Sequence, residues 1–209
     1  MARPKIHGEE SVDDLLDAAA ELLRRGGPDA VSVRAVADGS GRSSRAVYAL
    51  FGSKQALIDA LAERGYLALA ERVDALPRGG NPAAELVQAG VVGFRSFALG
   101  DPQIFRLTFE QVSAEVLTQP RVGRAAYRAY EALRSRVEAL RAAGGVHPDR
   151  DVPECVFAFH ALCQGMAAGE LAARPVPDGP GFWRSMQGSD FESVWTRALE
   201  ALVGGFAYR

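Results

Sequence analysis

An all-α protein is predicted, on three observations. Apolar residues recur at helical spacing along nearly all of the 209 residues. Clusters of glycine and proline, such as Gly26-Gly27-Pro28 and the run from Pro77 to Pro82, punctuate that pattern where helices end. Residues 32–54 hold two short helical patterns joined at a glycine corner, with a serine before each.

In chain order, Ser11 is placed to cap a first helix, with Asp14 completing a weak capping box. Val12, Leu15, Leu16, Ala19, Leu22 and Leu23 form its apolar stripe, and Gly26-Gly27-Pro28 stops it. Ser32 caps a short second helix that buries Val33, Val36 and Ala37 and turns Arg34 outward. Gly39 weakens the end of this helix, and Gly41 suits a corner that needs a positive φ. Ser43 caps a third helix, with Val47 and Phe51 four apart on the buried side and Ser44, Arg45, Tyr48 and Ala49 outward. Ser53 opens a longer helix to about Leu76. A helix from Ala83 to about Leu99 carries Leu86, Val87, Val91, Phe94 and Phe97. A short apolar segment with Ile104, Phe105, Leu107 and Phe109 follows. Another helix starts near Pro120, carries Ala126, Tyr130, Leu133, Val137 and Leu140, and ends at Gly144-Gly145. The stretch Cys155 to Leu171 is apolar nearly all round, which predicts a central helix covered on two sides. A loop over 174–188 precedes a last helix holding Phe191, Val194, Trp195, Ala198, Leu199, Leu202, Val203 and Phe206.

The outward residues of the third helix carry the chemistry. In a helix-turn-helix, the second helix of the pair enters the major groove of double-stranded DNA with its N-terminal residues at the base edges. Arg45 is placed to reach guanine, the commonest specific contact. Tyr48 can give its hydroxyl to a phosphate. Lys54 sits at a helix N-terminus, which already favours anions, and acts as a phosphate clamp that positions without reading sequence. Taken singly, a serine before a helix is only a cap and an exposed arginine only a solvated charge. The joint arrangement of caps, corner, buried pair and polar tip outweighs that reading.

The run A-x-x-x-G-x-S-x-x-x-V-Y-x-x-F-x-S-K, Ala37 through Lys54, resembles the DNA-binding domain of the TetR family of regulators, and the likeness extends over residues 10–62. It implies that Ser43, Ser44, Arg45, Ala46 and Tyr48 form the recognition helix, with Tyr48 and Lys54 on the DNA backbone. Ser32, Arg34 and Arg42 complete the expected DNA-binding set. Arg42 stands where the family usually has an apolar residue, and Leu50 where it has a polar or aromatic one. The expected division is a helix-turn-helix domain over 1–54, with the helix 53–76 as connector, and a helical effector-binding and dimerisation domain over 55–209.

A net charge of −2 argues against a nonspecific nucleic-acid coat. Arg34, Arg42, Arg45 and Lys54 nevertheless cluster about the turn, while the acids from Glu9 to Glu21 are expected to face away from DNA or flank its approach. Arg3 and Lys5 are candidates for an arm reaching backbone or minor groove. The N-terminus has no apolar run of signal-peptide type, and no apolar stretch reads as long enough to span a bilayer. A cytoplasmic protein without membrane association is therefore expected. Cys155 and Cys163, about 12 Å apart along one helix, are too distant for a disulfide and read as buried apolar groups. No metal-ligand set, phosphate loop or dinucleotide fingerprint is present, so neither metal nor cofactor is expected.

In the C-terminal half, Gly165 and Gly169, with Ala168 and Ala172 repeating the spacing, let helices approach closely. Together with Trp195, Leu199 and Leu202 they are the expected contact of a homodimer, built as a four-helix bundle from the last two helices of each subunit. Dimerisation suits a reader of palindromic operators, whose half-sites lie about 34–36 Å apart. Residues 94–109 and 159–171 resemble, more weakly, the family's ligand-binding domain, although Gln164 stands where a histidine is usual. That resemblance implies a pocket for a small-molecule effector and repression relieved by it; the candidate lining residues are Phe94, Phe97, Phe105, Phe109, Tyr127, Tyr130, His160 and Met166, and the few charged residues on the inner stripes point to a largely apolar effector. Two rivals are an all-helical enzyme using His160 with Glu170 or Cys163, and a helical adaptor with a non-functional DNA-binding head. The first lacks a third orienting group or an oxyanion hole; the intact Arg45, Tyr48 and Lys54 oppose the second.

Overall fold

A computed structural model describes residues 6–173 and 188–208, with side chains from residue 12 onward. The expected arm at Arg3 and Lys5 and most of the 174–188 loop lie outside the described residues. The described residues are helical, joined by short turns, and no strand occurs among them. The helices are α1 (Ile6–Ala30), α2 (Val33–Ser40), α3 (Ser44–Phe51), α4 (Lys54–Asp74), α5 (82–100), α6 (102–111), α7 (Ala114–Thr118), α8 (Pro120–Ala142), α9 (Val152–Ala173) and α10 (Phe191–Gly205). Helix α1 begins five residues before Ser11, so that serine lies inside the helix rather than capping it. The expected break at Gly26-Gly27 is present within α1. Gly26 leaves helical geometry, and Gly27 takes φ 68°, which only glycine adopts cheaply.

The chain divides into two compact units that the sequence division does not follow. The first holds residues 1–66 and 101–126; the second holds 67–100 and 127–209. In the first, α1 packs on α2, and α2 on α3, through Leu15, Leu16, Ala19, Leu23, Val33, Val36, Ala37 and Val47, all buried. Segment α6 joins the same unit through Ile104 and Phe105. Asp59, buried on α4, accepts from Gln55 Nε2 at 2.9 Å and Gln119 Nε2 at 3.1 Å, so its burial is compensated. The Tyr66 hydroxyl donates to the Thr108 carbonyl at 2.8 Å, and its ring meets Phe109 edge-on at 5.4 Å. Burial pushes the Tyr66 phenol up to about 12.

Gly65 of α4 lies against Thr108, and a Cβ there would collide with Thr108 Oγ1 and reach Ile104 Cγ2 at 3.0 Å. Thr108 is fully buried and cannot swing into solvent. Gly65→Ala is therefore expected to destabilise by about 1–3 kcal/mol through overpacking, seen as a fall in Tm of about 2–12 °C for a chain of this size. An unchanged Tm would show that this approach is loose.

In the second unit, α5 contains a π-helical segment, Ala89–Arg95. It packs on α9 and α10 where Gly90 admits the side chains of Leu199, Phe159 and Cys163. Helix α9 carries Cys155, Phe159 and Cys163 in the core, as its all-round apolarity predicts. Contrary to the sequence expectation, α9 is by length and composition apolar enough to cross a bilayer. Its burial against α5 and α10 and its ion-paired Glu170 account for that composition as a core helix. Trp195 and Leu199, expected at the dimer contact, are fully buried within the chain itself. They fill this unit's own core, because their side of α10 packs on α5 and α9.

Candidate nucleic-acid interface

The head is built by three serine caps. The Ser32 hydroxyl accepts from Ala35 N at 3.1 Å, Ser43 from Ala46 N at 3.2 Å and Ser53 from Ala56 N at 3.0 Å. Each fixes where a helix starts, and such a cap is worth about 1 kcal/mol. Between α2 and α3 the chain turns in a Schellman motif. Gly41 sits at φ 67°, its N–H donates to Asp38 O at 3.4 Å, and Arg42 N donates to Ala37 O at 2.9 Å. Gly52 closes α3 at φ 76°, donating to Tyr48 O at 2.8 Å.

This frame decides which side chains face outward. Val47 is fully buried and Ala46 and Phe51 are half-buried, which anchors α3 to the head. Ser43, Ser44, Arg45, Tyr48, Ala49 and Leu50 are exposed, Tyr48 at 56%. Lys54, at the first position of α4, is exposed as well. Arg45 and Lys54 are exposed and have no ion-pair or hydrogen-bond partner among the described residues. Arg34 is 90% exposed, with Asp38 4.0 Å away. Ser32 is half-buried, its hydroxyl occupied as a cap.

Arg42 is tied to the head: its Nη2 donates to Asp14 Oδ2 of α1 at 2.8 Å. Part-exposed on both sides, this pair adds little stability but fixes the side chain that replaces the usual apolar residue of the corner. In sequence, Asp14 reads as completing a weak capping box with Ser11 and as an acid that flanks DNA or avoids it. Its partner is 28 positions away, beyond any helical spacing rule. Likewise Asp17 pairs with Arg64 at 2.5 Å.

The aromatic residues expected around an effector are divided between the two units. Phe105 and Phe109 lie 5.8 Å apart in the first. In the second, Phe94 meets His160 edge-on at 5.7 Å, and Tyr127 lies 5.9 Å from Tyr130. Phe97 is buried, Met166 half-buried and Tyr127 61% exposed. The groups of the rival enzyme reading are otherwise engaged. Glu170 is bound by Arg95 and Trp195, burial pushes the Cys163 thiol well above its usual range, and burial lowers His160. A thiol so raised carries almost no thiolate at neutral pH. No group of three or more metal-ligating side chains occurs among the described residues.

A three-helix head with a capped, outward recognition helix, in a chain whose described residues are helical, defines a helix-turn-helix DNA-binding protein. Residues 15–61 match the family described as bacterial regulatory proteins, tetR family. Several solved structures share the fold over nearly the whole chain. A Rhodococcus sp. RHA1 protein of unknown function has 23% identity and a TM-score of 0.77, covering 94% of this chain and 95% of its own. A tetR-family regulatory protein from Rhodococcus RHA1 has 17% identity and a TM-score of 0.66, covering 96% and 98%. The FadR regulator of Bacillus subtilis in complex with stearoyl-CoA has 17% identity and a TM-score of 0.71, covering 92% and 98%. No curated protein sequence matches. The family match thus covers the helix-turn-helix head, and the solved structures show that nearly the whole chain shares their fold.

Proposed function

We propose that this regulator is a cytoplasmic homodimer that binds a palindromic operator and represses transcription until a small, largely apolar effector releases it, with no catalytic step. The observation that carries the reading is the exposed tip of α3, with Ser44, Arg45 and Tyr48 outward and Lys54 exposed beside it. Arg45 reads a base; Tyr48 and Lys54 hold phosphates; Arg34 and Arg42 add positive charge at the rim. The division into a DNA-binding part and an effector part follows, with residues 101–126 folding with the head.

Dimerisation is supported by α9. A Cβ placed on Gly165 or Gly169 would meet nothing within 4 Å among the described residues, so their smallness serves no packing there. Along the same side Phe157 is 73% exposed, and Ala161, Gly165 and Ala172 are exposed as well. On α10 the surface left for a partner comes from Ala201 and the half-buried Val194, Ala198 and Leu202 rather than from Trp195 or Leu199. The complex of Bacillus subtilis FadR with stearoyl-CoA supports effector binding by a chain of this fold.

Selection of bound duplexes from a random pool tests the reading. The expected product is a palindrome whose half-site centres lie about 34–36 Å apart. A pool that shows no enrichment would reject sequence-specific binding.

A further inference from the structure

Arg42 follows the left-handed Gly41 in the Schellman corner between α2 and α3, and its N–H closes that corner on Ala37 O at 2.9 Å. Corners of this kind often carry an apolar residue at that position, which packs back on the last turn of the helix. An arginine gives up that contact. Its backbone stays fixed all the same, one residue before Ser43, the cap of α3.

The side chain runs to α1 instead. Nη2 donates to Asp14 Oδ2 at 2.8 Å, with 41% of the arginine side chain and 55% of the aspartate side chain exposed. At that exposure the pair contributes little to stability, so folding alone gives no reason for a carboxylate there. Its place is more telling than its strength. Through Arg42, Asp14 stands beside the N-terminal end of α3, the end that enters the groove in a helix-turn-helix. The cations about the recognition helix thus fall into two kinds. Arg45 and Lys54 have no partner among the described residues, whereas Arg42 is met by Asp14. Arg34 stands 4.0 Å from Asp38, but those side chains are 90% and 76% exposed, and solvent screening weakens that pair further. The rim charge of Arg42 therefore reaches a phosphate only in competition with a carboxylate that repels the phosphate as well.

We infer that Asp14 is a positioning residue that opposes DNA binding: it occupies Arg42 and so limits the phosphate contacts, the sequence-independent part of the affinity. This rests on the DNA-binding reading above and adds to it a residue of opposite effect. Phosphate contacts carry no sequence information, so the restraint bears on operator and unrelated duplex alike. A larger share of the binding then rests on base reading by Arg45. The carboxylate can act in this way without altering the head, because the corner is held by the backbone bonds of Gly41 and Arg42.

The test titrates the full chain against its selected operator and a scrambled duplex, at salt from about 50 to about 200 mM. Asp14→Asn should bind both duplexes more tightly by the same factor, and should steepen the slope of log K against log salt by about 0.9 per subunit. Its advantage over the wild type should accordingly be about 3-fold larger per subunit at the low-salt end than at the high-salt end. Asp14→Ala, which removes the carboxylate through a different side chain, should do the same. Asp14→Glu, which keeps a carboxylate, should keep the wild-type slope. All three should leave Tm within about 4 °C of the wild type. In an Arg42→Ala background, Asp14→Asn should no longer steepen the slope. Asp13→Asn, which removes an exposed acid from the adjacent position of α1, should not steepen it either. Weaker binding or an unchanged slope in Asp14→Asn would overturn the inference. So would a steepening that persists without Arg42, since Asp14 would then act as a source of diffuse repulsion. Each of those results, from a wild type that selects an operator, leaves the DNA-binding reading in place. A wild type that binds no duplex would overturn both.

Discussion

Arg45→Ala is expected to lower affinity for the selected operator about 5- to 150-fold per half-site, while leaving affinity for unrelated duplex nearly unchanged. The magnitude is that of one bidentate arginine–guanine pair, about 1–3 kcal/mol. In a dimer the loss is taken twice. Lys54→Ala is expected to behave differently. It sits at the first turn of α4, exposed and without a partner among the described residues, where a helix N-terminus and a full charge together favour a phosphate. Its removal should weaken all duplexes alike and reduce the slope of log K against log salt by about 0.9 per subunit. Gel-shift titrations at several salt concentrations, on operator and scrambled DNA, separate the two effects. Equal loss on both duplexes for Arg45→Ala would move that side chain from base to backbone. An unchanged salt slope for Lys54→Ala would remove it from the interface.

The exposed placement of these two residues is legible in the amino-acid order alone, and the reason is locality. The three serine caps act over an offset of three residues. The Schellman corner at Gly41 spans six residues, and the Val47–Phe51 pair spans one helical turn. Each is dictated by neighbours in the chain, so periodicity and cap chemistry suffice to read it. The spacing of α10 is equally legible, but spacing gives a face without saying what covers it. Trp195 and Leu199 therefore read as a contact for a second subunit, and packing on α5 and α9 absorbs them instead.

Longer-range features carry no such signal. Asp14 and Arg42, 28 positions apart, join across the head only because α1 and the corner fold together. The grouping of residues 101–126 with the head depends on Tyr66 and Gly65 meeting Thr108, some 42 positions away. The π-helical register of Ala89–Arg95 has no local sequence mark beyond its two glycines. Arg136 reads in sequence as an ordinary helix arginine, because nothing near it in the chain reports that the carbonyls of Val73 and Leu76 receive its buried guanidinium.

Glu170→Ala is expected to be among the most destabilising single changes in the chain. Glu170 is 7% exposed and receives Arg95 through both edges of the fork, Nη2 on Oε1 at 2.8 Å and Nε on Oε2 at 2.9 Å. The indole N–H of the fully buried Trp195 donates to the same Oε2 at 2.8 Å. One carboxylate thus joins α5, α9 and α10, and the pairing raises Arg95 above its ordinary value. Removing it strands a mostly buried guanidinium and a buried indole donor together. Glu192 can recover only part of the charge, since it is 70% exposed and 3.3 Å from Arg95 Nη1. Breaking one side of a buried pair costs about 3–5 kcal/mol, which for a chain of this size lowers Tm by about 6–20 °C. The double change Arg95→Met with Glu170→Met should recover much of that loss, because apolar groups of similar volume replace a buried pair at little cost. A double-mutant cycle in urea reads the coupling directly. If the single and double variants lose the same stability, the carboxylate acts through packing alone and the electrostatic account of this three-helix junction fails.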